Sequence, residues 1–113
     1  MPTAYKVLGM SNPSATTATT LYTVPSSSTS TVVSTVTICN QASTAGTFRV
    51  AVRPAGATLA AQHYLAYDTP IAANDTIALT LGLTLGFGAA GDVITVYASS
   101  ANMSFAAFGS EIS

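Results

Sequence analysis

The chain is poor in charged residues, and this scarcity excludes several classes of function. Lysine, arginine, aspartate and glutamate together make up 6% of its 113 residues, against about 25% in an ordinary soluble domain. The formal net charge is -1, so no basic surface is expected for nucleic acid or for an anionic membrane. Surface charge keeps freely diffusing proteins apart. A chain with so little is expected to lie against something else, either its own copies or a larger particle.

Other scarce features narrow the class further. With Cys39 as the one cysteine, no disulfide can form within the chain, which excludes a disulfide-stapled secreted scaffold. One histidine, His63, and one cysteine are too few for a zinc site. No apolar run approaches the roughly 18 residues of a transmembrane helix. The first residues lack the basic region and apolar run of a signal peptide, so we expect a protein assembled in a cytoplasm, with no membrane partner.

What the chain has instead is a strong β-strand pattern. β-branched and aromatic residues recur in short runs, separated by Gly, Pro, Asn, Asp and Ser. The runs predict strands at residues 4–8, 20–24, 30–39, 47–53, 62–67, 76–85, 92–98 and 102–108. This spacing predicts an all-β fold: an antiparallel β-sandwich of about eight strands, jelly-roll-like. Such a sandwich has edge strands, and with so few charges they are poorly protected against pairing with a neighbouring copy.

Alternation along four of these runs predicts which side chains face the core. In residues 76–85 the leucines and isoleucine alternate with threonine, alanine and glycine. The predicted inward positions in the four runs are Ile77, Leu79, Leu81, Leu83 and Leu85, then Phe48, Val50 and Val52, then Val32, Val36 and Ile38, and finally Ile94 and Val96.

Several short segments carry the most specific pattern in the chain. They are Leu-Tyr-Thr-Val-Pro at 21–25, Val-Val-Ser-Thr-Val-Thr-Ile-Cys-Asn at 32–40, Phe-Arg-Val-Ala-Val at 48–52, Tyr-Leu-Ala-Tyr-Asp at 64–68, Ile-Ala-Ala-Asn-Asp-Thr at 71–76, Gly-Asp-Val-Ile at 91–94 and Phe-Gly-Ser-Glu-Ile at 108–112. In this order and spacing the chain resembles a family of small bacteriophage virion proteins. The resemblance implies a β-sandwich module on phage heads or tails, without catalytic residues.

The resemblance begins near residue 21 and leads us to expect two parts. Residues 1–20 are expected to form an N-terminal arm with the first strand, and residues 21–113 the β-sandwich domain. The segment 1–14 has few apolar residues to bury, so we expect it to become ordered only on assembly.

The isolated polar residues do not form a recognisable catalytic or metal-binding motif. His63 has no supporting nucleophile or acid motif, so a surface or interface histidine is expected rather than a catalytic one. Cys39 is expected to be a small buried group. Asp75 and Asp92 flank strand ends and would either converge on a calcium ion or each cap a turn, and the turn reading is favoured. We expect no enzyme activity, no cofactor and no metal.

Interface residues are predicted from charge and aromatic content. Arg49 and Arg53 lie four apart in one predicted strand, hence on one outward face about 13 Å apart. They would either pair with an acid of a neighbouring subunit, Asp68 or Glu111, or lie on a solvated face. The tyrosines offer flat amphipathic contact area, suited to interfaces or to stacking on sugars. The predicted contact residues are Tyr5, Lys6, Arg49, Arg53, Tyr64 and Tyr67.

Together these features predict a non-enzymatic structural protein of a bacteriophage virion, assembled in the host cytoplasm. The leading expectation is a capsid decoration, or cement, protein that binds the assembled head as a homotrimer or similar ring. Its partners would be its own copies and the major capsid protein or tail proteins. The alternatives are a tail, baseplate or fibre-attached module, and a host-surface carbohydrate-binding module, which the absence of tryptophan disfavours.

Overall fold

In a computed structural model, which describes residues 3–113, the chain forms eight β-strands. They are β1 (Thr3–Ser11), β2 (Thr19–Thr23), β3 (Ser30–Asn40), β4 (Gly46–Arg53), β5 (Tyr64–Ile71), β6 (Thr76–Leu85), β7 (Val93–Ala98) and β8 (Met103–Ile112). Two single-turn 3-10 helices, Pro54–Gly56 and Ala61–His63, lie between β4 and β5. Within residues 3–113 no helix is long and apolar enough to cross a membrane.

The strands form two antiparallel four-stranded sheets that pack face to face. Sheet one has the order β1-β8-β3-β6 and sheet two the order β2-β7-β4-β5. This interleaved order is that of a jelly roll, so the predicted all-β sandwich is confirmed. Every predicted strand is present, and β6 has the predicted bounds. β5 begins at Tyr64 rather than at residue 62, because the preceding residues turn as a 3-10 helix. β5 and β8 also extend past their predicted ends, to Ile71 and Ile112.

The core lies between the sheets and is filled from both. Phe48 of β4 and Phe105 of β8 meet edge to face, with ring centroids 6.5 Å apart. Ile94 and Val96 of β7 are fully buried beside them, as the alternation predicts. Such contacts between two inner faces hold a sandwich together, because the apolar side chains of each sheet are covered by the other.

A β-bulge in β3 corrects one predicted face. The pairing register of β3 shifts between Val33 and Thr35 against both neighbouring strands. One extra residue there reverses the alternation. Val33, not Val32, therefore faces the core, while Val36 and Ile38 face it as predicted.

The same irregularity affects β6. Its register against β3 is interrupted between Thr80 and Leu83, and Gly82 has a φ of 59°. Leu81 at this bulge is exposed rather than inward-facing. Ile77 and Leu79 are partly buried against the core. They are not fully covered, because β6 is an edge strand with no neighbouring strand on one side.

Residues 3–20 contribute β1 to sheet one and the start of β2 to sheet two. β1 pairs antiparallel with β8 from Thr3 opposite Ile112 to Ser11 opposite Phe105. β2 already begins at Thr19. The first strand thus completes sheet one through backbone hydrogen bonds, although none of its residues is buried. Met1 and Pro2, part of the expected arm, lie outside the described residues.

Candidate functional site

The outward face of sheet one carries no charged side chain among residues 3–113. We call it the neutral face. It consists of Tyr5, Val7 and Met10 of β1, Ser104, Ala106, Phe108, Ser110 and Ile112 of β8, Val32, Thr35, Thr37 and Cys39 of β3, and Thr76, Ala78, Thr80 and Thr84 of β6. Strand alternation places them together, because successive side chains point to opposite faces.

The neutral face exposes large apolar side chains at its β1 side. Tyr5 is 85% exposed, Met10 70% and Val7 50%. Phe108 lies beside Val7 on the neighbouring strand and is half-buried. Tyrosine, methionine and phenylalanine are enriched in protein interfaces, whereas charged residues are depleted at their centres. This face is therefore chemically suited to being covered by another protein surface.

The outward face of sheet two is different, because a compact group of aromatic and charged side chains lies on it. We call this group, consisting of Arg49, Tyr64, Tyr67, Asp68 and Tyr97, the tyrosine–arginine cluster. The Arg49 guanidinium carbon lies 4.2 Å from the ring centroids of both Tyr67 and Tyr97. Tyr64 and Tyr67 meet edge to face at 4.9 Å. Cation–π and aromatic contacts thus hold the cluster together.

Asp68 completes the cluster through a bidentate ion pair. Arg49 Nε donates to Asp68 Oδ1 at 2.7 Å and Arg49 Nη2 to Oδ2 at 3.2 Å. The hydrogen bonds from Arg49 hold the pKa of the Asp68 carboxyl below its usual range. Asp68 has a φ of 47° and lies where the register of β5 shifts against β4. A bulge with a strained non-glycine residue re-aims a side chain, and such strain is often found at functional sites.

An open depression adjoins the cluster. It has a volume of about 630 Å³ and is lined by Leu59, Ala60, Ala61, Tyr64 and Tyr67. Its size is within the range of small-molecule sites. The walls combine apolar area with two phenol rings, and the exposed Asp68 carboxylate belongs to the adjoining cluster.

The arginines and the two acids, for which pairing between subunits is one of two predicted alternatives, form contacts within the chain. Arg49 pairs with Asp68. Arg53 donates to Thr95 Oγ1 at 3.0 Å and to the carbonyl of Ala57 at 3.0 Å. Arg53 therefore stabilises the turn that follows β4.

Lys6 and Glu111 also pair within the chain, 2.6 Å apart. Glu111 accepts in addition a hydrogen bond of 2.5 Å from the Tyr22 hydroxyl of sheet two. The contact with Lys6 and then the bond from Tyr22 lower the pKa of Glu111. Lys6 thus points towards the inner side of sheet one, whereas Tyr5, its predicted companion, lies on the neutral face.

The remaining polar candidates have structural partners. Asp92 accepts hydrogen bonds of 2.9 Å from the backbone N–H groups of both Ala55 and Gly86. Asp75 accepts one from Thr76 N–H at 2.8 Å. Each carboxylate thus fixes a turn, and no group of three His, Cys, Asp or Glu in residues 3–113 could hold a metal ion.

His63 and Cys39 differ from the sequence-based picture in detail. His63 lies in a 3-10 turn rather than a strand, and its Nδ1 accepts a hydrogen bond of 3.0 Å from Ala60 N–H. Cys39 is a free thiol on the neutral face and is half-buried rather than buried.

Among the predicted contact residues, the structure brings Arg49, Tyr64 and Tyr67 together. Arg53 lies on the same sheet face with its own local contacts, while Tyr5 and Lys6 belong to the other sheet. The predicted contact set did not include Val7, Met10 and Phe108 of the neutral face. The alternation of Tyr5 and Val7 about Lys6 is the one sequence signal that indicates it.

Comparison of the chain with protein-family models, curated proteins and solved structures gives no match.

Proposed function

We propose that this chain is a non-enzymatic structural protein of a bacteriophage virion, and specifically a decoration protein that binds and stabilises the assembled head. The observation that carries the proposal is the neutral face. Covering a surface without charges avoids the cost of desolvating them. The expectation from the sequence that residues 21–113 resemble small phage virion proteins points to the same assignment.

The distribution of charge explains why this face rather than the other would bind the shell. Arg49, Arg53 and Asp68 all lie on the outward side of sheet two. A protein bound through the neutral face would leave these groups in water. Each bound copy stabilises the assembled shell to which it binds. When many copies bind one shell, weak contacts per copy are therefore sufficient to stabilise it.

Immunogold electron microscopy of intact phage, with an antibody against this chain, tests the assignment. Gold spread over the heads is the expected result. Gold confined to tail ends would replace head decoration by the tail, baseplate or fibre-attached alternative. Absence of gold from every particle, with the antigen present in infected cells, would overturn the virion assignment.

A matched pair of variants tests the face itself. Val7 on the neutral face and Leu65 on β5 of sheet two are 50% and 48% exposed, and both lie in edge strands. We expect Val7→Glu to weaken binding to heads that lack the protein at least about tenfold, because an unpaired carboxylate would be buried against the shell. Leu65→Glu should bind as the unmodified protein does. Equal binding by both variants would exclude the neutral face as the contact.

The tyrosine–arginine cluster favours a second candidate function, saccharide binding at the host surface. The depression beside Tyr64 and Tyr67 offers aromatic area for a sugar ring, and the Asp68 carboxylate can accept hydrogen bonds from hydroxyl groups. If this function is correct, Tyr67→Ala should abolish retention on a column of host polysaccharide. The control is Tyr5→Ala, which removes an exposed tyrosine from the neutral face. Unchanged retention of Tyr67→Ala, or no retention of the unmodified protein, would exclude it.

A further inference from the structure

The four sheet edges differ in how they are protected against pairing with another chain. The edge strands are β1 and β6 in sheet one and β2 and β5 in sheet two. β2 has five residues, and β5 has two register shifts and contains Asp68 and Pro70. β1 carries the charge of Lys6. Short length, bulges, proline and charge are the usual devices that block edge-to-edge pairing.

β6 has the weakest protection of the four. Its ten residues contain no charge and no proline. Their N–H and C=O groups on the side away from β3 have no strand partner among residues 3–113. The bulge near Gly82 interrupts the strand, but residues 76–80 pair with β3 in unbroken register. This segment is therefore a regularly paired and neutral sheet edge.

The segment is also complementary to itself. We propose that residues 76–80 of β6 pair antiparallel with the same residues of a second copy, about a two-fold axis through Ala78. In this register Thr76 lies opposite Thr80, and Ile77 lies opposite Leu79. Faces are preserved, because residues separated by an even number point to the same side. Apolar side chains thus meet on the core side, and threonine hydroxyls meet on the neutral face, where such pairs stabilise a sheet.

A second copy fits this edge better than an unrelated partner because the contact is isologous. Each residue that one copy offers is the residue that the other requires. No like charges are brought together, since none lies in residues 76–80. Sheet one would continue across both copies, and the two neutral faces would join into one larger surface. The contact makes a dimer, so a trimeric ring would need other surfaces, and it holds whether or not the protein is part of a virion.

Disulfide trapping tests this register directly. In the proposed dimer the two Ala78 Cα atoms lie about 4.5 or 5.5 Å apart, within the range of about 4.4–6.8 Å that a disulfide spans. We expect the full chain with Ala78→Cys, in a Cys39→Ser background, to form a covalent dimer on mild oxidation. Thr84→Cys in the same background is the control. Thr84 is exposed on the same strand and face, but its two copies would be about 40 Å apart.

Two outcomes of this experiment would overturn the proposal. One is that Ala78→Cys stays monomeric under oxidation. The other is that both variants cross-link equally, which would indicate random collision. The register is checked by mixing Thr76→Cys and Thr80→Cys proteins, again with Cys39→Ser. Mixed disulfides should exceed the disulfides that either protein forms alone, and the reverse result would exclude this register.

A substitution without cysteine chemistry provides an independent measurement. Sedimentation velocity of the unmodified chain at high concentration should give a dimer of the 11.4 kDa protomer. Ala78→Lys should shift it to monomer, because two lysines would lie opposite each other at the axis. Thr84→Lys, with the same charge beyond the bulge, should leave the dimer intact. A monomer in the unmodified chain, or equal effects of the two lysines, would contradict the proposal.

Discussion

Tyr22 is a buried residue of sheet two whose hydroxyl contacts a charged residue of sheet one. Its hydroxyl donates to Glu111 of sheet one, and the Thr31 hydroxyl lies 2.7 Å from the same oxygen. Burial, and then the hydrogen bond to Glu111, raise the pKa of Tyr22 from 10.0 to about 12. The folded protein therefore holds this phenol proton more tightly than the unfolded chain does.

Tyr22→Phe should change how stability depends on alkaline pH. In the unmodified protein the contribution of this proton to the free energy of unfolding is fully present below pH 10.0, and it is lost as the pH rises from there to about 12. The variant should lose about 1 kcal/mol at neutral pH, from the missing hydrogen bonds, but should lack that part of the alkaline loss. Denaturant unfolding followed by circular dichroism measures both effects.

The control for this experiment is Tyr5→Phe, which alters an exposed hydroxyl of the neutral face. It should keep the stability and the alkaline loss of the unmodified protein. Parallel pH profiles for Tyr22→Phe and the unmodified chain would show that the buried phenol is not the source of the loss.

At the level of strands, β1 combines backbone pairing along most of its length with little side-chain burial. Its ladder with β8 runs from Thr3 to Ser11, yet most of its side chains are exposed. Local opening is easiest where few apolar contacts would be lost. The ion pair of Lys6 with Glu111 is one of the few side-chain contacts that hold the strand.

Hydrogen exchange should therefore distinguish β1 in the free and the assembled protein. We expect its amides to exchange faster than those of the central strands β3 and β8 in the isolated chain, and to become protected on the assembled particle. Glu111→Gln should speed exchange in β1 further, since the charge of the ion pair is removed. Equal protection of β1 in free and assembled protein would contradict the expectation that its order depends on assembly.

The number and position of the strands could be predicted from the sequence, because alternation and turn residues are local signals. Phe48, Val50 and Ile94 face the core as the pattern requires. The bulges could not be predicted. Val32 and Val33 are chemically equivalent, and the register shift that turns one inward depends on pairing with two other strands.

For the whole molecule, the candidate surfaces depend on a strand order that is not sequential. Arg49 lies opposite Tyr97 because β4 pairs with β7, and Tyr67 joins them from β5. The spacing of these residues along the chain does not indicate that they form a cluster. The scarcity of charged residues is evident from the sequence, but their placement on one outward face and not on the other is not. The molecule measures 45 × 28 × 19 Å. One of its two outward sheet faces is neutral, and Arg49 and Asp68 lie on the other.

The pairing of Thr3 with Ile112 has a consequence for anything joined to this domain. The first residue of β1 and the last of β8 lie side by side, with Cα atoms about 5 Å apart. A tag, a cargo or a tether added before one or after the other would therefore leave from the same corner. Two bulky fusions would compete for that corner, whereas a short linker between the two strands would close the chain into a ring. New ends could then be opened in the exposed turn at Ser27 and Ser28, far along the chain from the joined strands.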